Sequence, residues 1–208
     1  VPGIAMQNKI YRDAICKYKK QTRWMAIIDL DEFIVPVEKK TIPEFLKDYE
    51  KYSAVVINWQ VFDSNGFVEP PASGGGLVCA NYIRTYADDN SPINLHVKSV
   101  VNPQKVVSVN NPHFCYYKYQ AGAVDENFQK VEGPFTKTHS SSKIKINHYH
   151  CKSKAEYLLK LDKWCADVKK KREFDERTIN ISEWKYDYEI QKFVPELKKI
   201  MFEKTEKE

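Results

Sequence analysis

The sequence has few glycines and lacks the glycine motifs of common nucleotide-binding and hydrolase sites. Only 7 of its 208 residues are glycine, and the run Gly74–Gly76 is not followed by the Gly-Lys-Ser/Thr of a phosphate-binding loop. No G-x-G-x-x-G or G-x-S-x-G pattern occurs. These absences argue against P-loop, Rossmann-type and serine-hydrolase chemistry.

Patterned cysteines and long apolar runs are also absent. The five cysteines show no C-x-x-C spacing, and such an odd, scattered set is typical of reduced thiols rather than a disulfide framework. No apolar run approaches the roughly 18 residues that a membrane-spanning helix needs. We therefore expect a cytoplasmic protein, with peripheral contact to the inner face of the membrane if the basic run Lys169–Arg172 meets anionic lipid.

The composition is that of a globular, aromatic-rich chain with a small positive charge. The net charge is +5, but no zinc finger, RNA-recognition signature or basic heptad run accompanies it, so nucleic acid is not an expected partner. The 13 tyrosines and 4 tryptophans exceed what a core needs. Some of these rings are expected to line a concave surface, because flat amphipathic rings suit sugars and bases.

Asp29, Asp31 and Glu32 are the most informative residues in the chain. They follow the apolar run Trp24–Ile28, which predicts a buried strand, and they precede Pro36. On a regular strand Asp29 and Asp31 would point to the same side of the sheet. Because such carboxylates repel one another without a cation, the pattern predicts a Mg²⁺ or Mn²⁺ site that also holds substrate phosphates. The alternative is a solvated acidic turn.

His148 is a candidate further ligand of that cation. It shares one face of a predicted strand with His150, and Mn²⁺ accepts imidazole ligands. From spacing alone, a hydrogen-bonded structural histidine is an equal alternative. A zinc site made by His148, His150 and Cys151 is less favoured, because no other residues have zinc-ligand spacing.

The D-x-D pattern also occurs in haloacid-dehalogenase phosphatases. That class needs D-x-D-x-[T/V], in which the first aspartate is the nucleophile, whereas Glu32 and Phe33 follow here. No downstream G-D-x-x-x-D pattern completes such a site. A phosphatase is therefore the less favoured interpretation.

Apolar periodicity predicts an α/β chain. Thr41 and Glu44 have the spacing of a capping box and start one helix. The N-terminal helix is expected to turn an apolar side inward that includes Ile10, Ile15 and Tyr18, and the long C-terminal helix a side that includes Tyr157, Leu158, Leu161 and Trp164. The predicted helices cover residues 4–20, 41 onward, 77–86, 154–171 and 182 onward, and the predicted strands cover 24–28, 53–62, 98–101, 105–109, 113–119 and 144–149.

Four short motifs follow one another along residues 7–175. They are Arg23–Pro36 (RWMAIIDLDEFIVP) after a helix with Gln7, Tyr11 and Cys16; Asn58–Gly66 (NWQVFDSNG); Lys98–Pro103 (KSVVNP) with Pro112–Phe114; and Ile146–Tyr157 (INHYHCKSKAEY). In this order they resemble glycosyltransferase family 92 and the related family 2-like group. Each motif alone is weak, but their order makes the resemblance specific.

The resemblance implies a GT-A-like mixed sheet flanked by helices, with a C-terminal helical segment. Residues 1–208 would form a single, partial GT-A domain, with residues 154–208 as its mainly helical C-terminal portion. Only 28 residues precede Asp29. Most of the N-terminal nucleotide-binding half of such a domain is therefore expected to be missing from this sequence.

The resemblance also implies a metal-dependent, inverting glycosyltransferase. The enzyme would move a sugar from a nucleotide-diphosphate sugar to a glycan or lipid-linked acceptor. The Mn²⁺ or Mg²⁺ cofactor would be held by Asp29, Asp31 and His148, with Asp29 also contacting the donor. The alternative is a truncated, non-catalytic carbohydrate-binding remnant.

Further site residues follow from the same motifs. Lys98, Lys152 and Ser153 are expected to contact phosphate or sugar, while Trp59 and His113 are expected to shape the acceptor pocket.

Glu32 and Asp63 are the two candidates for the carboxylate base. An inverting enzyme needs such a base near the acceptor hydroxyl. The sequence does not choose between them, although Asp63 stands where the family more often has glycine.

Overall fold

The computed structural model describes residues 4–72, 76–118, 122–162 and 173–202. Its α-helices are α1 (Ile4–Tyr18), α2 (Ile42–Leu46), α3 (Val78–Asn81), α4 (Lys154–Leu161), α5 (Glu176–Ile179) and α6 (Val194–Phe202). Its strands are β1 (Met25–Ile27), β2 (Glu32–Pro36), β3 (Ala54–Val61), β4 (Arg84–Tyr86), β5 (Val97–Val101), β6 (Val106–Val109), β7 (Cys115–Tyr117), β8 (Ala123–Val124), β9 (Lys130–Val131), β10 (Ile144–His148) and β11 (Trp184–Tyr186). Within these ranges no helix is long and apolar enough to cross a membrane.

Two compact units make up the described chain. The first contains residues 4–60, 89–118 and 122–148, and the second contains residues 61–72, 76–88, 149–162 and 173–202. The predicted membrane-contact run Lys169–Arg172 lies outside the described residues.

A mixed seven-stranded sheet forms the first unit and confirms the predicted α/β class. Its main order is β1-β5-β3-β10-β2. Strand β5 runs antiparallel to both β1 and β3, and β10 runs antiparallel to β2. Strand β8 joins β3 in parallel and carries β9 on its other side. The sheet is therefore built from both parallel and antiparallel pairs, with helices flanking it.

Strand β3 lies at the centre of this sheet, as its composition predicts. All eight of its residues are buried, and its Val-Val-Ile run suits a pleated surface covered on both faces. The buried amide of Asn58 is satisfied because its Nδ2 donates to the backbone oxygen of Asn94 and to Oγ1 of Thr136, at 3.2 and 2.7 Å. Ala54 and Val56 share a core cluster with Ile15 of α1.

Helix α1 confirms the N-terminal helix but buries only part of the expected face. Ile15 is buried as predicted, whereas Ile10 is 57% exposed and Tyr18 is 40% exposed, so the expectation that these two point inward was wrong. Asn8 is buried along with Ile15, and Tyr11 packs against the core cluster. These three residues are spaced i, i+3 and i+7, which defines one helix face. The contacts of these residues with the sheet decide which face of α1 is buried, and the positions of apolar residues alone do not.

The second unit contains a two-stranded sheet of β4 and β11 with short helices. The predicted helix over 77–86 was wrong beyond Asn81, because the Asn65 side chain accepts hydrogen bonds from the backbone of Ile83 and Arg84 and holds them in an extended segment. Helix α4 begins at the predicted place and buries Tyr157 as predicted, but Leu158 is 45% exposed rather than inward. Trp164, expected on the same side, lies outside the described residues. The helix predicted from residue 182 was wrong at its start, because Trp184–Tyr186 pairs with β4 as strand β11.

Glu126 ties the β8–β9 hairpin to the segment that leads into β10. Its buried carboxylate accepts hydrogen bonds from the backbone nitrogens of Ser142, Lys143 and Ile144, each at 2.9 Å, and from the hydroxyl of Ser140. Burial raises the pKa of this carboxyl, but these hydrogen bonds outweigh burial and hold the pKa below its ordinary value. The ionised form is therefore the one that stabilises the fold.

Replacing Glu126 by Ala is expected to lower the free energy of unfolding by about 3 kcal/mol or more, because several buried donors lose their acceptor. Urea unfolding from pH 3 to pH 7 measures this. The stability difference between wild type and Glu126→Gln should be largest near neutral pH. It should shrink as the pH falls through the lowered pKa of Glu126, because protonation of the wild-type carboxylate removes the charge that the Gln variant lacks at every pH. Ala replacement of the exposed Glu132 is the control. A difference that grows on acidification would contradict the role of the ionised carboxylate.

Candidate active site around the acidic turn

The acidic turn, residues Asp29–Glu32, joins β1 to β2. The backbone nitrogen of Glu32 donates to the carbonyl of Asp29 at 3.1 Å, and the backbone nitrogen of Asp29 donates back to Oε2 of Glu32 at 3.0 Å. Leu30 at the tip is fully exposed. The same-side arrangement that a regular strand would give Asp29 and Asp31 is not observed: β1 ends at Ile27, and the two aspartates occupy a turn with different surroundings.

Lys98 supplies a buried positive charge to this turn. It lies on β5, which pairs with β1, and its side chain is completely buried. Its Nζ lies 2.8 Å from Oδ2 of Asp29 and 3.6 Å from Oε1 of Glu32. One ammonium therefore offsets repulsion between two carboxylates at a place where the surrounding protein screens charges poorly.

Helix α1 holds the other oxygen of Asp29. Gln7 and Tyr11, one helical turn apart, each donate to Oδ1 at 3.1 Å. Burial, together with the charge of Asp29, raises the pKa of the Tyr11 phenol, so the phenol stays protonated and donates. Asp29 thus has protein donors on both oxygens, although its side chain remains 35% exposed.

Glu32 differs from Asp29 in having a completely buried side chain. Burial raises its pKa to about 7, against the lowering effect of Lys98 and of the hydrogen bond from the Asp29 backbone. Among the described residues, its Oε1 has no hydrogen-bond partner, although Lys98 lies within ion-pair distance. A carboxyl with this pKa can either accept or release a proton near neutral pH.

Asp31 faces His148 on the opposite side of the turn. His148 ends β10 and pairs with Glu32 in register, which places its imidazole beside the turn. Its Nε2 lies 3.7 Å from Oδ1 of Asp31, and the Asp31 side chain is 23% exposed. In the parts of the chain that the structure describes, no group of three or more His, Cys, Asp or Glu side chains is arranged to hold a metal.

A cluster of rings packs around Trp59 beside this pair. Trp59 stacks on His96 at 4.8 Å between ring centroids and also touches His113 at 5.0 Å and His148 at 4.2 Å. Trp59 is only 7% exposed. Burial and the nearby Lys98 charge lower the pKa of His113 to about 4, so its imidazole is neutral at physiological pH.

Asp63, Lys152 and Ser153 belong to the second unit, where each makes contacts that stabilise the local fold. Asp63 is buried and bonded at 2.8 Å by Nε of Arg84 and at 3.0 Å by the backbone nitrogen of Ile181. The Ser153 hydroxyl caps α4 in a capping box with Glu156. The Lys152 ammonium lies 3.7 Å from the Glu156 carboxylate. Their catalytic or substrate-binding roles stay predictions.

The structure thus brings seven of the predicted site residues into one set of contacts within the first unit. They are Asp29, Asp31, Glu32, Trp59, Lys98, His113 and His148. Sequence reasoning gave no role to His96 and quoted Gln7 and Tyr11 only as part of a motif. The i, i+4 spacing of Gln7 and Tyr11 was the available signal, because it puts both side chains on one helix face.

A model of the family described as glycosyltransferase family 92 matches residues 4–193 of the chain. The match includes the acidic turn, Lys98, the Trp59 cluster and His148. No curated protein matches the chain.

Replacing Lys98 by Met is expected to lower the free energy of unfolding by about 3–5 kcal/mol, because Asp29 and Glu32 would lose their cationic partner, and at pH 8 the buried Glu32 would have to stay charged without it or take up a proton. Chemical denaturation at pH 8 measures the loss. Lys130→Met is the matched control, since its ion pair with Glu132 is exposed to solvent and should contribute little to stability. Adding Glu32→Gln to Lys98→Met should recover part of the loss. Equal stability of the two single variants would show that the buried pair is not needed.

Proposed function

The chain belongs to glycosyltransferase family 92, and on that basis we propose that it uses Mn²⁺ or Mg²⁺ to move a sugar from a nucleotide-diphosphate sugar to a glycan acceptor, with inversion. The family makes the chain a glycosyltransferase. The observation that supports the finer proposal is the facing pair of Asp31 and His148 beside the acidic turn.

Asp31 and His148 fit a divalent cation that is shared with substrate. Oδ1 of Asp31 and Nε2 of His148 lie 3.7 Å apart. A cation could therefore lie about 2.1 Å from both atoms, which is the usual distance for such ligands. Magnesium-type sites commonly use one or two protein ligands and take the rest from water and phosphate oxygens. The bound cation would neutralise charge on the departing diphosphate.

Asp29 fits a positioning role better than the ligand role expected from the motif. Both of its oxygens already accept hydrogen bonds, from Lys98 on one side and from Gln7 and Tyr11 on the other. A cation bound there would meet the Lys98 ammonium at close range. We propose that Asp29 fixes the turn and offers its exposed edge to the donor sugar or ribose.

Glu32 is the better supported of the two candidate bases. Its pKa of about 7 lies near the working range of a general base, and its Oε1 lacks a hydrogen-bond donor among the described residues. Asp63 instead has its carboxylate engaged by Arg84. Because the Glu32 side chain is buried, this role requires the acidic turn to shift when substrates bind.

The donor site is tested by calorimetric titration of UDP and UDP-sugars with and without Mn²⁺. Binding should depend on Mn²⁺, and Asp31→Asn should weaken it about 10-fold or more, because the amide removes an anionic ligand at nearly constant shape. Ala replacement of the exposed Asp48 is the control and should bind as wild type does. Thermal unfolding of each variant checks that the fold is kept. Metal-independent binding, or wild-type affinity in Asp31→Asn, would contradict the proposed cation site.

A further inference from the structure

A groove in the first unit lies outside the acidic turn and has no role in the mechanism above. Its volume is about 610 Å³, and its lining includes Gln129–Glu132 on one side and Phe135–Thr138 on the other. We propose that this groove binds the acceptor as a neutral oligosaccharide, with Phe135 as the ring on which a sugar stacks. The inference rests on the proposed function insofar as the bound glycan is the acceptor.

Both walls of the groove are held in place by hydrogen bonds. On the hairpin side, the carboxylate of Asp125 accepts hydrogen bonds from the backbone nitrogens of Asn127 and Gln129, at 2.8 and 2.9 Å. On the other side, the backbone nitrogen of Thr136 donates to the carbonyl of Leu95 at 2.9 Å, and Asn58 of β3 donates to the Thr136 hydroxyl. A groove with fixed walls loses little entropy when it binds a ligand.

The lining chemistry matches an uncharged, hydroxyl-rich ligand. Two carboxylates, Asp125 and Glu132, are balanced by two ammonium groups, Lys130 and Lys137, so the groove has no excess of either charge. Amide and hydroxyl groups supply further donors and acceptors. Phe135 is 50% exposed and gives an apolar ring among these polar groups. A flat ring surrounded by hydrogen-bonding groups recognises the apolar face and the hydroxyl edge of a pyranose together.

A continuous series of ring contacts runs from this groove to the candidate cation pair. Phe135 meets His96 edge to face at 4.4 Å, His96 stacks on Trp59, and Trp59 touches His148. Trp59 itself is too buried to contact a sugar. We therefore assign the acceptor contact to Phe135, at the exposed end of the series, and not to Trp59, for which the motif suggested it.

The groove is tested by oligosaccharide binding to the chain without nucleotide or metal. The probes are neutral tetrasaccharides of glucose, galactose, mannose and N-acetylglucosamine, with a sulfated tetrasaccharide for comparison. Binding of each probe is measured by saturation-transfer NMR and calorimetry. At least one neutral probe should bind the wild type. Phe135→Ala should weaken that binding about fivefold or more, and Phe135→Tyr should retain it.

Three controls separate this result from general damage and from the donor site. Tyr186→Ala removes a ring of matched exposure (52%) in the second unit and should leave binding unchanged. Gln129→Ala, on the opposite wall, should weaken binding without the loss of a ring. Mn²⁺-dependent UDP binding should be the same in Phe135→Ala as in wild type, so the groove and the donor site can fail independently.

The proposal is overturned if no neutral probe binds, if the sulfated probe binds more tightly than every neutral one, or if Phe135→Ala binds as wild type does. It is also overturned if Tyr186→Ala weakens binding as much as Phe135→Ala, since the effect would then not belong to this groove.

Discussion

The acidic turn depends on one buried ammonium group. Three carboxylates within four residues repel one another, and Lys98 offsets that repulsion from β5, whose next residues, Ser99–Val101, pair with β1. An unpaired charge in this position would be costly, so the lysine and the carboxylates stabilise each other only together. With Asp29 and Glu32 fixed in this way, Asp31 is left facing His148. The different surroundings of the three acids therefore follow from where one lysine lies.

The Trp59 ring cluster gives the site its second fixed element. Trp59 lies on the fully buried strand β3, and three histidine rings from different parts of the first unit pack against it. Close-packed rings in rotamer minima resist displacement, so His148 and His96 keep their positions relative to the turn. Burial also keeps His113 neutral, which avoids a second positive charge beside Lys98. The cluster thus links the candidate cation pair to the groove through packing alone.

Two of the motif segments contribute to the fold of the second unit. Asp63 binds Arg84 and the backbone of Ile181, while Ser153 and Glu156 cap α4. Each of these contacts satisfies a buried or helix-terminal polar group that would otherwise be costly to leave unmet. A residue that lies within a motif segment can therefore have a structural role, and Arg84 supplies the counter-charge that the buried carboxylate of Asp63 needs.

Local patterns in the sequence predict the buried strand β3, strand β10, the capped helix α2 and the resemblance to the family, because apolar periodicity, capping residues and ordered motifs are local signals. Asp29, Asp31, Lys98, Trp59 and His148 are among the ten candidate site residues that the sequence suggests. Their contacts depend on the folded chain: Lys98 meets Asp29 across 69 positions of the chain, and the choice of buried face on α1 follows from its contacts with the sheet. The turn at Asp29–Glu32 and the exposure of Phe135 were equally beyond local patterns. Such pairings are set by strand register and packing between distant segments, which side-chain spacing along the chain does not encode.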